Sequence, residues 1–314
     1  MPTCVCGTIG ADELGHCQIH EHVFVRPTPM AERNPALCID RYDLSLRELK
    51  HYRAAGGRSL ADAQPVAAGR DAEALRRLSA ESGVNIVAST GFHLLGFYEE
   101  NSWVHALDEK ELYRLYRSEL AEGMLPWQPD ASRKPEARTE VCAGMVKAAI
   151  PAEGPVGRYG VLLRAAARAA AEAKTPLMLH TEYGEHALDA LRLCFDMGMR
   201  PEKLVVCHVD RQAVDFAPHE RIARTGVYLD YDTVGRFKYH SDEAEVALLT
   251  HMEPYANRVL LALDTTAKRL GAYGGEIDLA YLLRVFAPTL REAGFSEARI
   301  SSFTNGNCRQ LFAG

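Results

Sequence analysis

The chain of 314 residues lacks the segments and the charge that mark membrane or nucleic-acid-binding proteins. No run of the roughly 18 apolar residues needed to cross a bilayer occurs, and residues 1–20 lack the basic and then apolar pattern of a signal peptide. The net charge of −6 argues against a nucleic-acid binder, whose surface is basic. We therefore expect a cytoplasmic protein without membrane or nucleic-acid partners.

Cysteine pairs at regular spacing are also missing, because the eight cysteines are scattered along the chain. A chain of this length can bury a large core and does not need disulfides for stability. Several cysteines lie in apolar stretches, which indicates reduced, buried thiols. Cys4-x-Cys6 could be half of a zinc site, but no second pair stands at finger spacing. Because linkers and low-complexity segments are not evident either, we predict one domain over residues 1–314.

What the sequence does contain is an alternation of short β-rich apolar stretches with helical patterns. The predicted strands are residues 17–25, 58–64, 85–90, 141–150, 176–181, 203–209, 227–232 and 258–264. The predicted helices are residues 71–82, 157–174, 185–197, 241–255 and 276–293. Alternating strands and helices form parallel βαβ units, and eight such units match a closed (β/α)8 barrel, the TIM barrel of the α/β class.

Two long segments depart from this alternation. Residues 26–56 and 93–138 follow the first and third predicted strands and are rich in Pro, Tyr, Trp, Glu and Arg. Loops after strands lie at the carboxyl-terminal face of a barrel, where its active site is found. The two insertions are therefore candidates for lids or specificity loops, with surface additions or oligomer contacts as the alternative.

Metal-binding side chains stand at the ends of several predicted strands. His20 and His22 occupy positions i and i+2 of the first strand, so both imidazoles share one face and could bind one divalent ion. Such a pair alone is weak evidence. However, His180, His208 and Asp264 also end apolar strands, where a barrel gathers its catalytic groups. Asp264 alone could be a helix cap, but the five residues together predict a metal site.

Lys147 is the only charged residue in the apolar stretch 141–150. A buried lysine without a partner is costly and tends to lose its proton. The neutral amine can react with carbon dioxide to form a carbamate, whose two oxygens can bridge two metal ions. On spacing alone, an acidic neighbour or a side chain that reaches out of the strand is the simpler explanation.

With these residues identified, the chain resembles the phosphotriesterase family of the amidohydrolase superfamily. The resemblance runs from Gly7-Thr-Ile-Gly and Leu14-Gly-His-Cys-Gln-Ile-His-Glu-His to the closing Asn305-Gly-Asn-Cys-Arg-Gln-Leu-Phe, and it weakens in the insertions. It implies two divalent ions, zinc first, with manganese, cobalt or iron as alternatives. The implied ligands are His20, His22 and Asp264 for one ion, His180 and His208 for the other, and a carboxylated Lys147 and a hydroxide as bridges.

The resemblance also implies a mechanism and an assembly. The bridging hydroxide would attack the substrate, and it exists near neutral pH because metal binding lowers the pKa of water to about 7. Asp264 would both bind a metal and accept the proton of the attacking hydroxide. A serine or cysteine nucleophile is then not required. The family further suggests a homodimer.

Substrate choice is expected to lie in the loops after the strands. Relatives that hydrolyse lactones carry a tyrosine where this chain has His93, which could orient the substrate or be an ordinary loop residue. Relatives that act on phosphorylated sugar lactones carry cationic residues after strands seven and eight. The corresponding candidates here are Arg236, Lys238, Tyr239, Lys268 and Arg269. Charge-assisted contacts from such side chains favour an anionic substrate, although solvated surface charge explains each one singly.

The leading hypothesis is a binuclear metal hydrolase that cleaves a lactone or carboxylic ester, with a phosphorylated or otherwise anionic sugar lactone as a candidate. Hydrolysis of a phosphotriester or phosphoester is an alternative, because the same hydroxide can attack phosphorus. Hydrolysis of an N-acyl amide is another. A metal-bearing small-molecule binding protein is the non-enzymatic alternative, since a fold does not fix a function.

Overall fold

The computed structural model describes residues 1–313, in which eight parallel strands lie side by side in chain order and form a nearly closed barrel. The strands are β1 (His16–Glu21), β2 (Gly57–Asp62), β3 (Asn85–Gly91), β4 (Met145–Ala149), β5 (Leu177–His180), β6 (Leu204–Cys207), β7 (Tyr228–Tyr231) and β8 (Val259–Leu261). Beyond β8, the amide of Asp264 donates to the carbonyl of His20 at 3.0 Å. Each strand overlaps its predicted range, so the barrel is confirmed.

Helices surround the barrel. The main ones are α1 (Tyr42–Ala54), α2 (Ala72–Ser82), α3 (Glu109–Ala121), α4 (Arg158–Ala173), α5 (Ala187–Asp196), α6 (Ala217–Ala223), α7 (Asp242–His251) and α8 (Ala287–Glu292). Short α-helices lie at Pro29–Arg33, Glu297–Ser301 and Asn307–Phe312, and π-helical turns at Leu282–Phe286 and Ser302–Gly306. Within residues 1–313, no helix is long and apolar enough to span a membrane.

The chain begins with a small hairpin, and 3-10 turns connect many of the elements. The hairpin pairs Thr3–Cys4 with Gly7–Thr8. The 3-10 turns are Ala11–Leu14, Pro35–Leu37, Leu95–Phe97, Trp103–Ala106, Pro201–Lys203, Val209–Arg211, Glu253–Arg258 and Gly271–Tyr273. Cys4 is buried and Cys6 is exposed, and in residues 1–313 they belong to no group of three or more metal-binding side chains.

Local sequence explains where helix α2 begins and ends. The Asp71 side chain accepts a hydrogen bond from the amide of Ala74 at 3.1 Å and caps the first turn. The helix ends at Gly83, whose φ of 70° lies in the left-handed region that glycine adopts without steric cost. Helix α2 therefore occupies its predicted range of 71–82 almost completely.

The long segments after β1 and β3 each contain a helix that the sequence reading did not assign. Helix α1 packs against α2 and β2, and α3 packs against α4, so each is the outer helix of its own βα unit. Other parts of the two segments cover the carboxyl-terminal face, where Met30, Leu37, Leu94 and Phe97 line the central cavity. The two insertions thus supply outer helices of the barrel and also cover the cavity at its carboxyl-terminal face.

Strand periodicity decides which side chains enter the barrel. Neighbouring side chains of a strand point to opposite faces, and Met145 and Met178 belong to the apolar cluster inside the barrel. Lys147 and His180 lie two residues further along β4 and β5 and share that inward direction. Leu179 instead packs outward, in the layer between strands and helices. The strand register therefore places the side chains of Lys147 and His180 inside the barrel, toward its carboxyl-terminal end.

Candidate active site

The histidines and the aspartate expected at the strand ends meet at the carboxyl-terminal face of the barrel. His20, His22, His180, His208 and Asp264 line one cavity of about 710 Å³. Lys147 lies at the base of this group and is fully buried. Its Nζ is 3.2 Å from Nε2 of His20 and 3.2 Å from the sulfur of Met178. The barrel thus brings together all six side chains that the sequence selected.

Two sets of potential ligand atoms face the cavity. Nδ1 of His180 and Nε2 of His208 are 2.9 Å apart. In the second set, Oδ1 of Asp264 lies 3.7 Å from Nε2 of His20 and 3.5 Å from Nε2 of His22. Such spacing lets the ligands of each set converge on one ion.

In three of these histidines, the ring nitrogen that does not face the other potential ligands contacts a carboxylate. Nδ1 of His20 contacts Asp230 at 2.9 Å, and Nδ1 of His208 contacts Asp232 at 2.7 Å. Nε2 of His180 contacts Glu182 at 3.0 Å. An imidazole that donates its outer N–H to a carboxylate keeps the lone pair of the other nitrogen toward the cavity, as metal-binding histidines do. The donor set therefore fits divalent cations, and these residues could hold them.

The protonation of the histidines also suits metal binding. Burial, with the charge of Lys147 as a second cause, lowers the pKa of His20 to about 4. Burial likewise lowers the pKa of His180 and takes that of His208 well below its ordinary value. These imidazoles are neutral at pH 7, and the neutral form is the one that binds a metal.

Asp264 is held as a carboxylate by its neighbours. Burial alone would raise its pKa, but Arg236 and the surrounding histidines bring the pKa well below its ordinary value. Nη1 of Arg236 lies 2.5 Å from Oδ2 of Asp264, and Nη2 donates to the Asp264 carbonyl at 3.0 Å. Asp264 is therefore ionised at neutral pH and available as a ligand or a base.

Arg211 is a second cation in the cavity wall, and the sequence alone did not point to it. It lies in the turn after β6, and its side chain is 10% exposed. Nη2 lies 3.6 Å from Asp264 and Nη1 lies 3.3 Å from Glu182. The signal available in the sequence was an arginine three residues after the strand-ending His208. With Arg236, it places two guanidinium groups beside the carboxylate.

His93 forms part of the cavity wall. Its buried ring stacks on Phe97 with 3.8 Å between ring centroids, and its centroid lies 5.3 Å from that of His180. Its Nδ1 accepts a hydrogen bond from the Leu94 amide at 2.7 Å. The residue is therefore fixed in place next to the candidate ligands.

The other predicted substrate residues line the same cavity at different depths. Lys238 and Lys268 are exposed at the rim, and the Lys238 ammonium lies 4.5 Å from the ring centroid of Tyr239. Arg269 is buried and donates to the carbonyls of Gly235 and Val234 at 2.9 and 2.8 Å. Arg269 therefore holds the loop after β7, which carries Arg236 and Lys238.

A parallel eight-stranded barrel that gathers neutral histidines, an ionised aspartate and a buried lysine at its carboxyl-terminal face is the architecture of a metal-dependent hydrolase. The model of the phosphotriesterase family matches residues 3–312, and the chain belongs to this family. The family predicted from the sequence is thus confirmed.

Individual relatives cover nearly the whole chain. The phospho-furanose lactonase of Mycoplasmopsis synoviae is 26% identical, over 98% of this chain and 90% of its own length. The crystal structure of an amidohydrolase from Mycoplasma synoviae matches with a TM-score of 0.91 and 26% identity, over 99% of this chain and 91% of that one. The phosphotriesterase homology protein from Escherichia coli, complexed with phosphate in its active site, has a TM-score of 0.85 and 26% identity, over 96% and 100%.

Proposed function

We propose that the protein hydrolyses a lactone or carboxylic ester whose substrate carries a phosphate or another anionic group, with a phosphorylated sugar lactone as the first candidate. The observation that carries this proposal is the pair of guanidinium groups, Arg211 and Arg236, that face the cavity beside Asp264 with only 10% of each side chain exposed. The lactonase activity in the name of one relative and the phosphate bound in the active site of another support it.

Two divalent ions would be held by the side chains that meet at the carboxyl-terminal face. We assign His20, His22 and Asp264 to one ion and His180 and His208 to the other, with carboxylated Lys147 and a hydroxide between them. The 3.2 Å separation of Lys147 Nζ and His20 Nε2 supports the bridging role. Zinc suits these donors, and manganese, cobalt and iron are alternatives. Such ions, when bound, polarise the scissile carbonyl and lower the pKa of water to about 7.

A residue of the chain itself can transfer the proton during hydrolysis. Asp264 is ionised because Arg236 and the histidines offset the effect of its burial. Its carboxylate can therefore take the proton of the attacking nucleophile and pass it to the alkoxide that leaves when the lactone ring opens. We assign this proton transfer to Asp264.

The anion of the substrate would bind on the side of the cavity formed by the loops after β6, β7 and β8. Arginine binds phosphate or carboxylate through two parallel N–H groups, which favours Arg236 and Arg211 for direct contact. Lys238 and Lys268 at the rim would attract the anion, and Tyr239 stands between the arginines and Lys238. His93 and Arg269 would orient the substrate and the binding loop.

A substrate panel tests the proposal. Phosphorylated sugar lactones, their dephosphorylated counterparts, aryl phosphotriesters and N-acyl amino compounds would be assayed with the metal-loaded enzyme. We expect the highest kcat/KM for a phosphorylated lactone. Turnover of the phosphotriesters or N-acyl compounds, with no lactone cleaved at any concentration, would overturn the lactonase assignment in favour of the corresponding alternative. Binding without turnover of any of these compounds would favour the non-enzymatic alternative.

The homodimer and the cytoplasmic location stay predictions. The homodimer rests on the family resemblance, and light scattering of the purified chain would measure it. A mass of one chain at assay concentrations would contradict it. Organisation as a single domain predicts one cooperative unfolding transition in calorimetry.

A further inference from the structure

A second group of potential ligands does not line the catalytic cavity and has no role in the proposed reaction. Asp210 follows β6, Thr233 and His240 lie in the loop after β7, and Glu245 belongs to α7. One ligand atom each from Asp210, His240 and Glu245 lie within 4.8 Å of one another. The group thus joins three separate elements of the barrel.

Two carboxyl groups in this group are buried without enough polar partners. Asp210 and Glu245 are 0% exposed. Oδ1 of Asp210 and both carboxylate oxygens of Glu245 have no hydrogen-bond partner among residues 1–313. Burial, followed by the charges of Asp210 and Asp232, raises the pKa of Glu245 well above its ordinary value. An unpaired buried carboxylate is costly, and a cation bound to these oxygens would offset that cost and keep both groups ionised.

The hydrogen bonds around His240 leave a lone pair pointing into the group. Its Nδ1 is 3.0 Å from the carbonyl oxygen of Ser241, which can only accept, so Nδ1 carries a hydrogen. Nε2 then faces Oγ1 of Thr233 at 2.8 Å and Oε2 of Glu245 at 3.3 Å.

The Thr233 hydroxyl does not supply the missing hydrogen. Its oxygen lies 2.6 Å from Oδ2 of Asp210, to which it donates its single hydrogen. The amide of Thr233 donates to the same oxygen at 2.7 Å. An imidazole nitrogen, a hydroxyl oxygen and a carboxylate oxygen therefore converge without a proton between them, and either a cation or an added proton must separate them.

We propose that Asp210, His240 and Glu245, assisted by Thr233, bind one divalent cation in addition to the catalytic ions. Two ligands on a tetrahedral zinc, at bond lengths of about 2.0–2.1 Å, lie roughly 3.3 Å apart. The 3.3 Å between Nε2 of His240 and Oε2 of Glu245 matches this spacing. A set of carboxylates, one imidazole and one hydroxyl suits zinc or manganese. The cation ties the loop that carries Arg236 to α7 and to the end of β6.

Metal counting with matched variants tests the site. Wild type, Glu245→Gln and Glu243→Gln would be stripped with a chelator, reloaded with zinc, desalted and analysed by mass spectrometry for metal per chain. Glu243 is exposed on the same helix and serves as the control. We expect Glu245→Gln to hold one zinc fewer than wild type and Glu243→Gln to equal wild type. Equal zinc in wild type and Glu245→Gln would overturn the proposal.

Two further measurements separate this site from the catalytic one. His22→Asn should lose zinc from the catalytic cavity, and adding Glu245→Gln should remove one more equivalent. If the second change removes none, the proposal fails, whatever the catalytic site holds. Zinc anomalous scattering from wild-type crystals needs no variant and should give a peak beside His240 and Glu245. Zinc in the catalytic cavity alone would overturn the proposal.

Discussion

Replacing Asp232 with Asn should weaken metal binding without removing any side chain that we assign as a ligand. Oδ1 of Asp232 lies 2.7 Å from Nδ1 of His208, and Oδ2 lies 3.2 Å from Nδ1 of His20. Burial alone would raise the pKa of Asp232, but the two imidazoles bring it well below its ordinary value. Asparagine has the same shape but no charge, so it would orient the two rings less firmly and make their inner nitrogens weaker ligands.

The magnitude follows from the kind of contact that is lost. A hydrogen bond to a charged group contributes about 1.5–3 kcal/mol, and about 1.4 kcal/mol corresponds to a tenfold change in affinity. The loss of a carboxylate that orients a metal-binding histidine typically costs about 10–100-fold in metal affinity. Because Asp232 contacts two histidines, one from each proposed ligand set, we expect the upper part of that range for zinc.

Competition with a chromophoric chelator would measure the zinc affinity of wild type and Asp232→Asn, with circular dichroism to verify folding. Asp189→Asn is the matched control. Asp189 pairs with His186 at 3.1 Å on the surface, where the two side chains are 54% and 45% exposed. The control should bind zinc like wild type. A folded Asp232→Asn protein with zinc affinity within about twofold of wild type would refute the orienting role.

Three other substitutions probe the substrate site, the bridge and the core. In steady-state assays, Arg236→Gln should raise the KM for an anionic lactone about 10–100-fold. The KM for a neutral lactone should rise far less, and an equal rise for both substrates would contradict anion recognition. Lys147→Met replaces a buried side chain with one of similar size, so the melting temperature of the metal-free protein should not change. After reloading, the variant should bind less zinc than wild type, and an unchanged zinc content would exclude Lys147 as a bridge between the ions. Glu119→Gln should lower the free energy of unfolding in urea by about 3–5 kcal/mol, because Arg70 would stay charged and unpaired in the interior, and a loss below about 1 kcal/mol would contradict this.

The barrel was predictable because its strands are short apolar runs bounded by clear breaks. The two helices that the sequence reading did not assign had weaker local signals. Helix α1 begins after Arg41 without a side-chain cap. Helix α3, however, opens with a capping box formed by Asp108 and Glu111, a pattern that the sequence displays. The helix could therefore have been found within the segment 93–138.

The candidate ligands were predictable because they end strands, whereas their supporting residues follow from three-dimensional proximity. Asp230 and Asp232 have the same i, i+2 spacing at the end of β7 as the histidine pair at the end of β1, and the sequence displays this spacing. Arg211 enters the cavity through a turn in which His208 adopts a φ of 66°. A positive φ at a non-glycine residue is uncommon, so the sequence alone did not reveal where that arginine points.

Anomalous diffraction from zinc-loaded crystals of the wild-type protein tests the central claim most directly. We expect two catalytic peaks, one beside His20, His22 and Asp264 and the other beside His180 and His208. We also expect carboxylate density on Nζ of Lys147 between the two peaks. No peak in the cavity, or a single peak beside a bare lysine amine at saturating zinc and bicarbonate, would contradict the binuclear site.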